Sequence, residues 1–356
     1  MSPYSSVVML ILWTGLLLVI PMAPAIIELY RKTDAQPLLV VQKHAGEIRH
    51  FSEGFRGYVN ELNAVRETCR ISGTTARGTL KDGAEYFVMS DSAALLPEIW
   101  SRGGKCSTVV IACADLCAPR LTLFSREIHA QGNFVGGDHN EYRAILGDKD
   151  VHLGAHSIVM RWVHAAGTFS ANHDCDLHGR VSSDTAIQLG DRCTFLRLNA
   201  PRIELGPSST KNNNASNAVA SAASTYAVLK RYLHDQDFEI QANHVFHGNI
   251  VTRGRFIAHR GAQIFGSVKS SKSMVLEDDV LVTGSAISSG QLRIGRNCCL
   301  HGPVIAERVL YIDSGARLGT SENPTTVSSP KIYSKEDVLI FGTLWAREHG
   351  EVAREG

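Results

Sequence analysis

A period of eighteen residues governs the apolar positions in the C-terminal half of the chain. Phe256, Met274 and Leu292 lie eighteen residues apart and belong to one of four such columns. The columns are Phe238, Phe256, Met274, Leu292 and Leu310; Ile240, Ala258, Leu276, Ile294 and Ile312; Phe246, Ile264, Val282, Leu300 and Leu318; and Ile250, Val268, Ala286 and Val304. Each unit divides into three sixes, whose two inward positions stand two residues apart, as strand alternation requires. The pattern predicts an all-β fold, a parallel β-helix with three short strands per turn.

Small residues mark two corners of each predicted turn. Gly248, Gly266, Gly284 and Gly302 repeat with the same period, directly after the third inward column. A glycine suits a corner at which the backbone turns and no Cβ can be accommodated. A second corner carries Thr252, Ser270, Ser288 and Ala306. A helical interpretation fails, because a period of six does not keep a 3.6-residue face aligned.

The same period extends upstream, which divides the chain into blocks. Its upstream columns are Val151, Phe169 and Ile187; Leu153, Ala171 and Leu189; Val159, Leu177 and Phe195; and the small residues Ser157, Cys175 and Cys193. We therefore predict β-helical blocks at 106–206 and 237–320. Residues 207–236 form a polar, flexible insertion with a predicted short helix at 225–234. Residues 31–105 show no repeat and are predicted to cap the coil or link it to a membrane, and residues 321–356 to cover its other end as a strand or a helix.

The first thirty residues are predicted to anchor the chain in a membrane. Residues 7–27 carry no formal charge and are long enough to cross the hydrocarbon core as one helix. The alternative is a cleaved signal peptide with its cleavage site near Ala23, but the basic stretch that usually precedes such a peptide is lacking. Basic residues follow the span closely: Arg31, Lys32, Lys43 and Arg49. The positive-inside rule then places the N-terminus outside and the coil in the cytoplasm.

Charge and cysteine content narrow the function further. The formal net charge of +1, without a basic run or stacking motif, argues against a nucleic-acid partner. The eight cysteines show no CxxC pair, and three of them fall on core positions of the repeat, which suits a reducing compartment. No nucleophile elbow, phosphate loop or dinucleotide fingerprint occurs, so we predict no cofactor.

The segment from Gly248 to Gly319 resembles the bactofilins, the polymer-forming bacterial cytoskeletal family. The resemblance lies in the corner glycines, the short strands and elements such as the run from Gly261 to Gly266. It implies a right-handed β-helix, end-to-end self-association without nucleotide, and a membrane-associated scaffold for envelope or polysaccharide machinery. This chain departs from the family in its membrane anchor, its insertion and its long N-terminal region. A filament and a capped coil or short oligomer therefore both stay open.

The rival interpretation is an acyltransferase of the hexapeptide-repeat kind that acts on a sugar. These enzymes also wind eighteen residues per turn, and the dipeptide Ile294-Gly295 resembles their signature. They use a histidine as general base to activate the acceptor. His173 and His164 are the candidates here, and the alternative for each is a surface histidine on a turn.

Two further clusters are candidate sites in the first block. The run from His173 to His178 holds two histidines, two aspartates and a cysteine, but Cys175 points inward, so its ligands should diverge and we predict no metal. A second cluster is a candidate groove for a glycan or a phosphate-bearing partner: Arg143, Arg161, Trp162, Arg180, Arg197 and Arg202. Its alternative is ion pairing with Asp138, Glu141 and Glu204 on a solvated wall.

The sequence thus favours a non-enzymatic scaffold anchored in a bacterial inner membrane. Its predicted partners are further copies of itself, the membrane through residues 7–27, and envelope or exopolysaccharide assembly proteins.

Overall fold

The structure is a computed structural model that describes residues 9, 10, 12–17, 20, 48–101, 103–206 and 230–353. The chain divides into two compact units, residues 1–47 and 48–356. In the first unit the described residues are helical, and the rest of the predicted span 7–27 lies outside the described residues. Among the residues described, no helix is both long and apolar enough to cross a membrane.

The second unit is mainly a parallel β-solenoid of about 12 turns with about 18 residues per turn, which confirms the predicted fold class and period. The first block begins with β3 (Lys105–Cys106), β4 (Val109–Ala112), β5 (Leu116–Ala118), β6 (Leu123–Ala130), β7 (Phe134–Gly136) and β8 (Glu141–Gly147). It continues with β9 (Val151–Leu153), β10 (Ile158–Ala165), β11 (Phe169–Ala171), β12 (Asp176–Ser183), β13 (Ala186–Leu189) and β14 (Thr194–Leu205).

The second block has three short strands in each of its regular turns. Its first strands are β15 (Arg231–His234), β16 (Phe238–Ile240), β17 (Val245–His247), β18 (Asn249–Thr252), β19 (Phe256–Ala258), β20 (Gln263–Phe265), β21 (Val268–Ser270) and β22 (Met274–Leu276). They are followed by β23 (Leu281–Val282), β24 (Ala286–Ser288), β25 (Gln291–Ile294), β26 (Cys299–Leu300), β27 (Val304–Ala306), β28 (Val309–Ile312) and β29 (Arg317–Leu318). Two long strands end the block, β30 (Thr325–Ser334) and β31 (Val338–Val352).

The predicted apolar columns are stacked from rung to rung. Phe256 pairs with Met274, and Met274 pairs with Leu292, in parallel register. All three side chains are fully buried. Upstream, Phe169 stacks between Val151 and Ile187 in the same way. A continuous apolar core therefore runs through both blocks.

The N-terminal end of the first block is covered by residues 76–101. The covering elements are β1 (Ala76–Thr79), β2 (Glu85–Met89), a 3-10 turn at Ser92–Ala94 and a helix, α3 (Leu95–Ser101). Strand β2 extends the wall by pairing with β4, and β1 pairs with β2. Leu95 and Ile99 of α3 are buried in the core, so this helix closes the end of the coil.

Two further helices pack on the outside of one wall. They are α1 (His50–Val59) and α2 (Asn63–Ser72), joined by a 3-10 turn at Asn60–Leu62. Phe55 and Val59 of α1 pack with Ile111, Leu146 and Trp162 in a second apolar cluster, outside the coil. The wall is thus buried on both faces at this point.

The two blocks meet at their C-terminal ends. Strand β31 pairs parallel with β30 but antiparallel with β14, over nine residue pairs from Thr194–Glu351 to Leu205–Val338. Each coil therefore ends at this antiparallel pairing. The first turn of the second block lies at the opposite end of its coil. We call the β14–β31 pairing the joint.

The predicted C-terminal segment forms strands, one of its two predicted alternatives, whereas the predicted helix before the second block is wrong in part. The predicted helix at 225–234 is wrong for residues 231–234, which form β15 and pair with β18. Its other residues, except Lys230, lie outside the described residues. Residues 325–352 form strands that complete the second coil and join it to the first, because a rung closes its hydrogen bonds on both sides only when another strand lies against it. The handedness of the coil stays a prediction.

Candidate functional site

Three of the predicted binding residues form one outward column on the wall of the first block. Trp162, Arg180 and Arg197 are neighbours on successive rungs, on β10, β12 and β14. Trp162 is covered by Phe55 of α1, with ring centroids 5.7 Å apart. The two arginines continue the column beyond the edge of this contact towards the joint.

An aromatic ring flanks each of the two arginines. The guanidinium carbon of Arg180 lies 4.9 Å from the ring centroid of Phe51 on α1. The guanidinium carbon of Arg197 lies 5.1 Å from the ring centroid of Trp345 on β31, its partner across the joint. Both rings keep large exposed surfaces, 48% for Phe51 and 40% for Trp345. The pair of cations is therefore held between a helix and the joint.

The positive charge and the hydrogen-bond donors of Arg197 are poorly compensated by its surroundings. Its Nε is buried and has no hydrogen-bond partner. Burial lowers the pKa of its guanidinium, and the positive charge of Arg180 lowers it further. Among the residues that the structure describes, neither arginine has a carboxylate within the 4.0 Å of an ion pair. Two like charges thus lie on adjacent rungs with no counter-charge among the described residues.

The other predicted arginines have different surroundings. Arg143 donates from Nε to Glu127 at 2.7 Å, and Arg202 forms an ion pair with Glu204. Arg161 is exposed on the rung of Trp162. Arg202 therefore pairs with one of the three carboxylates of the ion-pairing alternative and Arg143 with a carboxylate outside it, whereas Arg180 and Arg197 form a distinct site. We call Arg180, Arg197, Phe51 and Trp345 the arginine–aromatic site.

The two candidate general bases lie in separate environments. His164 is buried under α1, where its Nδ1 contacts the Ser182 hydroxyl at 2.9 Å. Burial lowers the pKa of His164 below its ordinary value. His173 is exposed at a corner, and its Nδ1 lies 2.7 Å from Oδ2 of Asp174. The surface alternative is therefore wrong for His164, because the packing of α1 on the wall, which the repeat does not encode, covers it.

One corner of the first block carries a ladder of polar side chains. Its members repeat every 17 or 18 residues and all have positive φ: His139, His156, Asp174 and Arg192. The rings of His139 and His156 stack with their centroids 4.6 Å apart, and Arg192 forms a close ion pair with Asp174. Ligand atoms of His156, His173 and Asp174 lie within 4.8 Å of one another.

This corner holds a set of donors that the sequence argument missed. The candidate ligands in the sequence lie in the run from His173 to His178, whereas the structure brings His156 to His173 from the preceding turn. The signal in the sequence was the 17-residue spacing of His156 and His173, which is close to one turn of the coil. A divalent cation at this corner would have to displace the Arg192 guanidinium from Asp174, and this competition weakens the case for a metal.

The far end of the second block is open among the described residues. There, β15, β16 and β17 each pair with one neighbour only, β18, β19 and β20. Phe238 and Phe246 are partly buried here, whereas Phe256 and Ile264 one turn further are fully buried. Leu233 is 63% exposed. We call this first turn of the second block, residues 231–247, the open end.

Because comparisons with known proteins give no match, the function has to be inferred from the fold and its surfaces. No family model, curated protein or solved structure matches this chain. The geometry defines a β-solenoid protein in which two coils meet head to head, one outer end is covered by a helix and the other is open among the residues that the structure describes. The chain also presents an arginine–aromatic site beside its joint, and no described carboxylate pairs with this site.

Proposed function

We propose that this protein is a non-enzymatic scaffold that self-associates through the open end. The observation that carries the proposal is the terminal rung, which no other described residue covers and which combines backbone edges with apolar side chains. Unpaired strand edges of this kind favour addition of another strand. The polypeptide already forms the corresponding contact within itself, since β14 and β31 pair antiparallel where two coil ends meet. A second copy placed head to head would repeat this arrangement.

A pair of chains fits this structure better than a filament. A filament needs two complementary ends on every subunit. Here the other outer end is closed by α3, whose Leu95 and Ile99 are buried in the coil. Contact through the open end alone is isologous and closes after two copies. We therefore propose a dimer and not a filament.

The mass of the full chain in detergent solution, from light scattering, tests the proposal. We expect two chains for the natural protein and one chain for a variant with both Leu233→Lys and Val245→Lys, because these outward side chains of the terminal rung would lose their apolar contact with the second copy across the newly paired strands. Met160→Lys is the matched control, since Met160 and Val245 are each 45% exposed but Met160 lies on β10, which is paired on both sides. A natural chain that is monomeric at micromolar concentration would contradict the proposal, and so would a dimer that survives both lysines.

The proposed setting is a bacterial inner membrane, with residues 7–27 as the anchor and the coil in the cytoplasm. The uncharged N-terminal stretch and the basic residues after it support the anchor, and the resemblance to bactofilins supports a role in envelope or exopolysaccharide assembly. Removal of residues 1–30 should release the protein from the membrane fraction. Retention there without these residues would exclude the anchor.

A sugar acyltransferase is the second candidate, and one contact favours it. His173 is exposed and its ring is oriented by the Asp174 carboxylate, as in a general base. Acyl-coenzyme A consumption that His173→Ala abolishes would establish the enzyme. A His173→Ala variant with the activity of the natural chain would exclude this histidine as the base.

A further inference from the structure

The strongest unassigned feature of the molecule is the arginine–aromatic site. Its two cations come from successive rungs, and its two rings come from α1 and from β31. Each of these four side chains belongs to a separate element, so the site exists only when the helix has docked and the joint has formed. It lies apart from the open end and does not depend on self-association.

The electrostatics of the site favour an anion. Two guanidinium groups on adjacent rungs repel each other, and the strand spacing of about 4.8 Å keeps them close. The aromatic faces offset part of this cost, since one cation–π contact contributes about 0.5–2 kcal/mol. They do not supply hydrogen-bond acceptors, and the Nε of Arg197 is buried without an acceptor among the described residues. An anionic group with several oxygens would supply both the charge and the acceptors.

The exposed rings indicate what carries the anion. Phe51 and Trp345 each carry a guanidinium group over the ring and still keep 48% and 40% of their surface exposed. A ring with C–H groups on one face, such as a sugar, packs on an aromatic side chain of this kind, while its acidic group reaches the arginines. Arginine forms paired hydrogen bonds with phosphate and carboxylate groups alike.

We propose that Arg180 and Arg197, with Phe51 and Trp345, bind an anionic sugar, a sugar ring that carries a phosphate or a carboxylate. In this arrangement the two guanidinium groups donate to the acidic group, and Trp345 contacts the ring. Because Arg197 and Trp345 lie on opposite strands of the joint, the bound sugar also bridges the two blocks.

Calorimetric titration of the full chain tests the proposal with glucose 6-phosphate, glucuronate, inorganic phosphate and glucose. We expect the first two to bind, inorganic phosphate to bind about tenfold more weakly for lack of the ring contact, and glucose not to bind at millimolar concentration. Binding should weaken as salt is added, because the contacts are ionic. If none of the three anions binds, or if glucose binds as well as glucose 6-phosphate, the proposal is wrong.

Substitutions locate the binding on the chain. Arg180→Gln and Arg197→Gln should each lower the affinity for glucose 6-phosphate at least about tenfold. The matched control is Arg143→Gln, an arginine of the same block that is already paired with Glu127, and it should leave affinity within about twofold. Trp345→Ala should reduce the ratio of the affinity for glucose 6-phosphate to the affinity for inorganic phosphate. Equal losses in the Arg143 and Arg197 variants would show that the anion is bound by the general charge of the wall, which overturns the site.

Thermal unfolding separates binding from a structural role of these arginines. Glucose 6-phosphate should raise the midpoint temperature of unfolding of the natural chain and of Arg143→Gln, but not that of Arg197→Gln. Without ligand, Arg197→Gln should unfold no earlier than the natural chain, because it removes a partly buried charge that has no counter-charge among the described residues. An Arg197→Gln chain that keeps the full ligand-induced rise would contradict the proposal.

Discussion

Corner glycines bring successive rungs into direct backbone contact. A Cβ on Gly284 would lie 2.6 Å from the carbonyl carbon of Gly266. A Cβ on Gly302 would lie at the same distance from that of Gly284. Gly266 additionally has φ of 153°, a conformation that side chains rarely adopt. Both the close approach and the dihedral angle therefore require glycine at this corner.

Substitution of these glycines is the first prediction. Gly266→Val and Gly284→Val should each lower the free energy of unfolding by more than about 4 kcal/mol, since neither rung can move without breaking its neighbours' hydrogen bonds. Denaturant unfolding measures the loss. Gly54→Ala, at a helix position with open space, is the control and should be neutral or stabilising by up to about 1 kcal/mol. Unchanged stability in both valine variants would contradict the corner register.

A pH dependence follows from His164. Burial lowers its folded-state pKa; nearby Asp184 opposes the shift, and Arg49 and Arg56 add to it. The unfolded chain, with a pKa of about 6.5, then binds more protons than the folded chain. The free energy of unfolding should therefore fall as pH drops below about 6.5, until the folded-state pKa is passed.

Unfolding at a series of pH values measures this effect. His164→Gln should show a smaller loss on acidification than the natural chain, because it removes the titrating group. His139→Asn replaces an exposed histidine at a left-handed corner and serves as the control. Identical pH profiles for the natural chain and His164→Gln would contradict the assignment.

At the scale of elements, helix α1 is held by apolar contacts with charged contacts at its edges. Phe55 packs on Trp162, while Arg49 and Arg56 reach Asp184 and Asp148 at 2.7 Å. Partly exposed ion pairs contribute little, about 0–1 kcal/mol each. The apolar contact therefore decides whether the helix stays on the wall.

Removal of that contact is the next prediction. Phe55→Ala should lower the free energy of unfolding by about 3 kcal/mol and expose Trp162 to water, which shifts its fluorescence to longer wavelength. Phe51→Ala, on the same helix but 48% exposed, should cost less than about 1 kcal/mol and is the control. Equal effects of the two substitutions would mean that α1 is not docked through Phe55.

At the scale of the whole molecule, the joint makes the two blocks one body. Its strands bring Leu198 of β14 beside Leu344 of β31, and both side chains are fully buried. Solenoid turns otherwise contact only their neighbours along the chain. The joint replaces a missing neighbour for each coil, which removes two of the four coil ends.

Cleavage between the blocks tests the joint. A specific protease site placed between Lys211 and Asn217 would cut the chain within the segment that connects β14 to β15. The two fragments should co-elute on gel filtration under native conditions and separate in denaturant, because the antiparallel pairing does not depend on the connection. Separation of the fragments in native buffer would show that the joint does not hold.

The repeat was readable in the sequence because each rung imposes the same local demand. Phe256, Met274 and Leu292 must be apolar since they stack in one interior, and Gly266 must be glycine since a rung lies against it. Such constraints recur every eighteen residues, so period, strand positions and the inward-facing Cys175 and Cys193 follow from counting. The arginines of the candidate site were also visible as charged residues on an otherwise regular wall.

The sequence alone therefore determined the coil, its period and the chemistry available on its walls. Only the tertiary structure decided where the coil begins and ends: that α3 closes one outer end, that β31 turns back on β14, and that Trp345 meets Arg197. The physical reason is that stacking within a coil repeats at fixed spacing, whereas each of these contacts occurs once, between segments as far apart as residues 197 and 345. A single long-range contact leaves no periodic trace in the chain that forms it.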